Sequence, residues 1–146
     1  YLAFAKKADE DGFKQAAKLF RAAAEAETVH ALNHLRTLNA VRSTEENLKE
    51  AINGETHEFT EMYPQMIREA EEEGNSAAKL NFSSANNVEK IHASLYEKAL
   101  SSIQSGSDME SGDIHVCQVC GNTVEGNALD KCPICGVGSE MFSKVE

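Results

Sequence analysis

A chain of 146 residues that is 41% hydrophobic, carries no tryptophan and has a formal net charge of −10 has room for one medium domain or for one domain with a small appendage, with few aromatics, as suits a helical bundle. Its apolar runs are only a few residues long, so neither a membrane span nor a secretory signal core is expected. The acidic balance and the absence of a basic patch argue against nucleic acid as a partner.

The opening Tyr1-Leu2-Ala3-Phe4-Ala5-Lys6-Lys7-Ala8 already reads as helix and stops near Gly12, so the chain is expected to begin partway through its first helix. A second helix is predicted from about Phe13 to Leu38. Its inward row runs Phe13, Ala16, Phe20, Ala23, Glu27, His30, His34, Leu38, in the steps of three and four that an amphipathic helix requires. After a polar connection around Arg42, Ser43 and Glu46 have the spacing of a capping box and start a third helix.

That third helix is expected to run to about Glu73, with Gly74 as its stop. Its row is Leu48, Ile52, Glu55, Phe59, Met62 and Met66, with Glu58 on the flank. Pro64 lies inside it and should kink it by crowding the carbonyl of Thr60. Asn75 or Ser76 then caps a fourth helix that ends near Gln104. Its row is Ala78, Phe82, Ala85, Glu89, His92, Tyr96, Ala99 and Ile103.

Three words stand out in these rows: Glu27-Thr-Val-His30, Glu55-Thr-His-Glu58 and Glu89-Lys-Ile-His92. Each puts two metal-capable side chains three residues apart, on one helix face. Unpaired charge in a core costs several kcal/mol or more, and a bound cation is the simplest remedy. The four glutamates, if ionised, balance two ferrous ions, whereas a single zinc would leave excess negative charge buried. Two Glu-x-x-His helices with further glutamates are the arrangement of ferritin-like carboxylate-bridged diiron bundles. His34 is expected to be hydrogen-bonded in a neighbouring layer, and His57 to be solvated.

Residues 105–113, beginning Ser105-Gly106-Ser107-Asp108, read as a linker between a helical domain over 1–104 and a small domain over 114–146. The small domain is too short to bury a self-sufficient core, so a structural metal is expected. All four cysteines lie in it, as Cys117-Gln-Val-Cys120-Gly121 and Cys132-Pro-Ile-Cys135-Gly136. Two knuckles with none left over point to metal in a reducing compartment rather than to disulfides, hence to the cytoplasm. Four thiolates suit either iron or zinc. His115 is not needed for such a site.

Taken together, the chain resembles the rubrerythrins, on Tyr-Leu-Ala-Phe-Ala at the start, Ala26-Glu27-Thr-Val-His30-Ala31, Gly54-Glu55-Thr-His-Glu58-Phe-Thr-Glu-Met-Tyr63-Pro64, Glu89-Lys-Ile-His92-Ala93 and both knuckles in order. The resemblance implies a mainly α fold: a ferritin-like four-helix bundle, its first helix truncated, followed by a rubredoxin-like metal ribbon. It also implies that Glu27 and Glu89 bridge two irons, that Glu55 and His92 bind one of them, and that Glu58 and His30 serve the other and exchange with its oxidation state. One iron would sit on Cys117, Cys120, Cys132 and Cys135, with zinc as a possible substitute. Tyr1 and Tyr63 match tyrosines near the site in the family and are expected to hydrogen-bond the ligating glutamates and hold them in place. The family carries a further glutamate about two turns before the residue matching Tyr1.

The activity so implied is reduction of hydrogen peroxide to water, with electrons relayed through the Cys-bound iron from an external donor, a rubredoxin or an NAD(P)H-dependent reductase, in a homodimer. Two other classes compete: a ferroxidase or iron-handling protein, and an electron-transfer metal-binding module. The appended Cys-rich domain speaks against storage, which needs no attached electron donor. No phosphate-binding loop or nucleophile elbow is present.

Overall fold

A computed structural model describes all residues from Tyr1 to Glu146. The chain forms five α-helices, α1 (Leu2–Glu10), α2 (Lys14–Thr37), α3 (Thr44–His57), α4 (Tyr63–Glu72) and α5 (Ser76–Gln104), and three short strands, β1 (Ile114–Cys117), β2 (Thr123–Glu125) and β3 (Phe142–Lys144). It divides into two compact units, Tyr1–Arg42 and Ser43–Glu146.

The first unit is the α1–α2 hairpin. Ala5, Ala8 and Ala17 are its buried residues, and the rings of Phe4 and Phe20 meet edge to face at 5.7 Å. Asp9 accepts from Arg21 (2.7 Å) and Lys14 (3.2 Å), which ties the two helices together. These bonds from Arg21 and Lys14 hold the Asp9 carboxyl below the usual carboxylate range. The row expected to face a core on α2 is instead largely exposed: Phe13 is 66% and Leu38 73% accessible. Within the hairpin the α2 residue that is buried is Ala17, which is not in that row.

In the second unit α3 and α4 both pack along α5. The start of α3 is the expected capping box: Ser43 Oγ accepts from the Glu46 amide and the Glu46 carboxylate accepts from the Ser43 amide, each at 3.3 Å. Asn75 caps α5 by accepting from the Ala78 amide at 3.0 Å. The long third helix is not simply kinked at Pro64. It opens into a π-helical turn over Glu58–Met62, where the Tyr63 amide donates to the carbonyl of Glu58, five residues back. The proline, which has no amide to donate, falls in the first turn of the restarted α4. A wide turn therefore absorbs the missing bond and sets Glu58 at its start.

The Cys-rich segment is a three-stranded antiparallel sheet in the order β2-β1-β3. Val116 pairs with Thr123 on one side and Ser143 on the other. It belongs to the same compact unit as α5: Lys98 on α5 reaches Glu125 on β2 at 2.6 Å, and Val88, 2% exposed, lies against Gly121. No helix is long and apolar enough to cross a membrane.

Candidate metal centres

The two knuckles fold as equivalent turns. Cys117 N–H donates to the carbonyl of Asn122 and Gly121 N–H to that of Cys117, both at 2.9 Å; Cys132 N–H donates to Val137 at 2.8 Å and Gly136 N–H to Cys132 at 2.9 Å. Gly121 and Gly136 close them at φ +83° and +79°, a region that side chains disfavour. The turns bring all four sulfurs together. Cys117 and Cys135 are 3.7 Å apart and Cys120 and Cys132 3.6 Å. A tetrahedron with metal–sulfur bonds of about 2.3 Å has an edge of roughly 3.8 Å, whereas a disulfide needs about 2.0 Å.

The thiols titrate unequally. Burial pushes Cys132 up, but amides of Cys135 and Ile134 and the neighbouring thiols donate to it and bring it down to about 7. Burial pushes the Cys120 and Cys135 thiols up. Protonated, the cluster crowds four thiols around one centre; a metal that binds all four as thiolates relieves this.

The helical donors gather in the second unit. Glu55 on α3, with Glu89 and His92 on α5, place one ligand atom each within 4.8 Å of one another. His92 Nδ1 is 2.8 Å from Glu89 Oε2 and 3.7 Å from Glu55 Oε2. Their side chains are 19%, 12% and 26% exposed in the order Glu55, Glu89, His92. Burial, together with the hydrogen bond and charge of Glu89, raises Glu55 above the usual carboxylate range. Two carboxylates beside an imidazole nitrogen form a donor set that a cation fits.

Tyr63 reaches the same place. Burial and the charges of Glu89 and Glu58 raise its hydroxyl, which hydrogen-bonds the Glu89 carboxylate. Glu58 itself is half-buried at the start of the π turn. In the first unit, Glu27 and His30 pair with each other, Nδ1 to Oε2 at 3.2 Å, and both side chains are 60% exposed. Tyr1 is 55% exposed, with its ring 6.5 Å from that of Phe4. His34 is exposed; His57 is exposed as expected and lies 3.5 Å from Glu61. His115 bonds the carbonyl of Gly126 at 2.7 Å, away from the thiolate cluster.

One contact escaped the sequence: His92 Nε2 lies 3.0 Å from Thr123 Oγ1 on β2. A threonine three residues after a knuckle cysteine carries no spacing signal for a histidine thirty-one positions earlier.

The family model Rubrerythrin matches residues 1–100, and the model for the rubrerythrin rubredoxin-like domain matches residues 115–143. Rubrerythrin-2 of Clostridium acetobutylicum is 34% identical over 97% of this chain and 85% of its own length. Nigerythrin of Nitratidesulfovibrio vulgaris is 38% identical over 98% of this chain and 76% of its own. A solved structure of mixed-valence nigerythrin superposes with a TM-score of 0.65 at 36% identity, over 99% of this chain and 77% of that one.

Proposed function

Since the chain belongs to the rubrerythrin family, whose members are generally diiron oxidoreductases of the peroxidase type with an additional four-cysteine iron, we propose that it reduces hydrogen peroxide to water using electrons that enter through the Cys-bound iron. The fold class is ferritin-like with a rubredoxin-like domain, and the cofactors are a carboxylate-bridged iron pair and one Fe(Cys)4 centre. The observation that carries the reading is that Glu55, Glu89 and His92 converge in the same compact unit as the four cysteines.

The residues that would hold the iron pair are Glu27, His30, Glu55, Glu58, Glu89 and His92; those that would hold the single iron are Cys117, Cys120, Cys132 and Cys135. When bound, the iron pair supplies two electrons and the Lewis acidity that peroxide cleavage needs. The residues do the rest. As carboxylates the glutamates would balance the metal charge, and a bound cation would favour the ionised form of Glu55 that burial disfavours. Tyr63 donates to Glu89 and fixes the direction of its lone pairs. The overall reaction, H2O2 with two electrons and two protons giving two waters, consumes two electrons from an external donor of the rubredoxin or NAD(P)H-dependent reductase class. The domains in this reading are 1–104 for the diiron chemistry and 114–146 for the relay, in a cytoplasmic homodimer.

The test is anaerobic rapid mixing of fully reduced protein with one equivalent of hydrogen peroxide, following the visible colour of the ferric Cys-bound iron. Prompt colour with peroxide and slow colour under air is the expected result. Absence of colour with iron at both centres would sink the reading.

A further inference from the structure

We propose that Thr123 is a positioning residue for the helical metal centre: its hydroxyl accepts the Nε2 proton of His92 and so leaves Nδ1 free as the ligand nitrogen. The inference rests on His92, Glu55 and Glu89 being metal ligands. It follows from counting protons. A neutral imidazole carries one N–H, and which nitrogen holds it is set by what each faces. Nδ1 faces two carboxylates, at 2.8 and 3.7 Å, and Nε2 faces Thr123 Oγ1 at 3.0 Å.

Without metal, Nδ1–H can donate to Glu89 while the threonine hydroxyl donates to Nε2. With a metal on Nδ1 the neutral ring would carry its single N–H on Nε2, the proton moving from one nitrogen to the other by exchange with solvent. A hydroxyl serves both arrangements because it is donor and acceptor at once. Its own proton also has a second acceptor in place, the Gly121 carbonyl at 3.1 Å. In the metal-bound arrangement the chain of donors runs His92 Nε2–H to Thr123 Oγ1–H to Gly121 C=O. Gly121 directly follows the knuckle residue Cys120.

The threonine is held in place from both sides of His92 along α5. Val88, one turn earlier, is buried against Gly121. Lys98, later on the helix, binds Glu125 at 2.6 Å, two residues beyond Thr123. Ordering a metal ligand by a partner on its second nitrogen is a general device, and losing such a partner typically costs metal affinity about 10- to 100-fold.

The experiment uses the full chain with zinc on the four thiolates and zinc as the probe of the helical centre. Nitrogen-15 NMR of the His92 ring reads its tautomer before and after zinc saturation, and a competition titration reads affinity. In the wild type, His92 should carry its proton on Nε2 once zinc is bound. Thr123→Val should weaken zinc binding at the helical centre about 10- to 100-fold, with zinc retained on the cysteines, and Thr123→Ser should restore it. A zinc-bound wild type protonated on Nδ1, or a Thr123→Val chain with unchanged affinity and ring shifts, would overturn the proposal. Failure of the wild-type helical centre to bind zinc, iron or cobalt at all would instead overturn the ligand assignment beneath it, and the proposal with it.

Discussion

Glu55 on α3 and Glu89 on α5 bring carboxylate oxygens within 4.8 Å of each other, and burial, with the hydrogen bond and charge of Glu89, raises the proton affinity of Glu55. Two helices are thus joined at a point that, without a cation, opposes its own ionisation.

This relationship fixes a pH dependence for protein stripped of metal at the helical centre. A carboxyl whose folded pKa lies above its unfolded value of 4.5 contributes stability below the unfolded pKa and loses it as pH rises through the folded one. Glu55→Gln should therefore stabilise the stripped protein at pH 7, and the advantage should vanish on acidification below the unfolded value. With metal restored, the same substitution should destabilise. Chemical denaturation at several pH values, with and without metal, checks both signs.

Glu89→Ala should empty the helical centre while the Cys-bound iron keeps its visible spectrum. Peroxide turnover should fall by more than the roughly 10- to 100-fold that loss of a mere outer partner brings. Metal analysis alongside turnover decides this, and unchanged turnover would remove Glu89 from the ligand set.

Cys120→Ser should do the reverse. Steady-state turnover with an external donor should be lost, while one turnover of the prereduced helical centre survives. A variant that still accepts electrons from the donor at the normal rate would refute the relay.

Tyr63→Phe deletes the bond to Glu89 without changing the ring. Peroxide turnover is expected to drop about tenfold or more with the fold intact. The raised hydroxyl pKa keeps Tyr63 protonated throughout the working range, so the variant's defect should be the same at pH 6 and pH 9.

Val88→Ala should destabilise the second unit by about 2 kcal/mol, from two lost methyl groups and the gap they leave. Because Val88 is 2% exposed and lies against Gly121, the loss should appear as a lower unfolding midpoint of α5 and the Cys-rich segment together. Separate melting of the two, with α5 unaffected, would show that they do not fold as one unit.

What the sequence determined by itself was everything that depends on spacing along one element. Glu89 and His92 share a face because a helix turns every 3.6 residues; the Ser43 box and the Asn75 cap sit where orphan amides begin; the knuckles close because glycine follows each second cysteine. What only the tertiary structure decided was which surfaces meet. The row bearing Glu27 and His30 reads as core, yet both side chains are 60% exposed, because amphipathic periodicity names an apolar face and not the partner that covers it. Pro64 announced a break, but the π turn beginning at Glu58 took up the missing bond upstream of it. The bond from Thr123 to His92 joins a strand to a helix thirty-one residues away, and no local periodicity reaches that far.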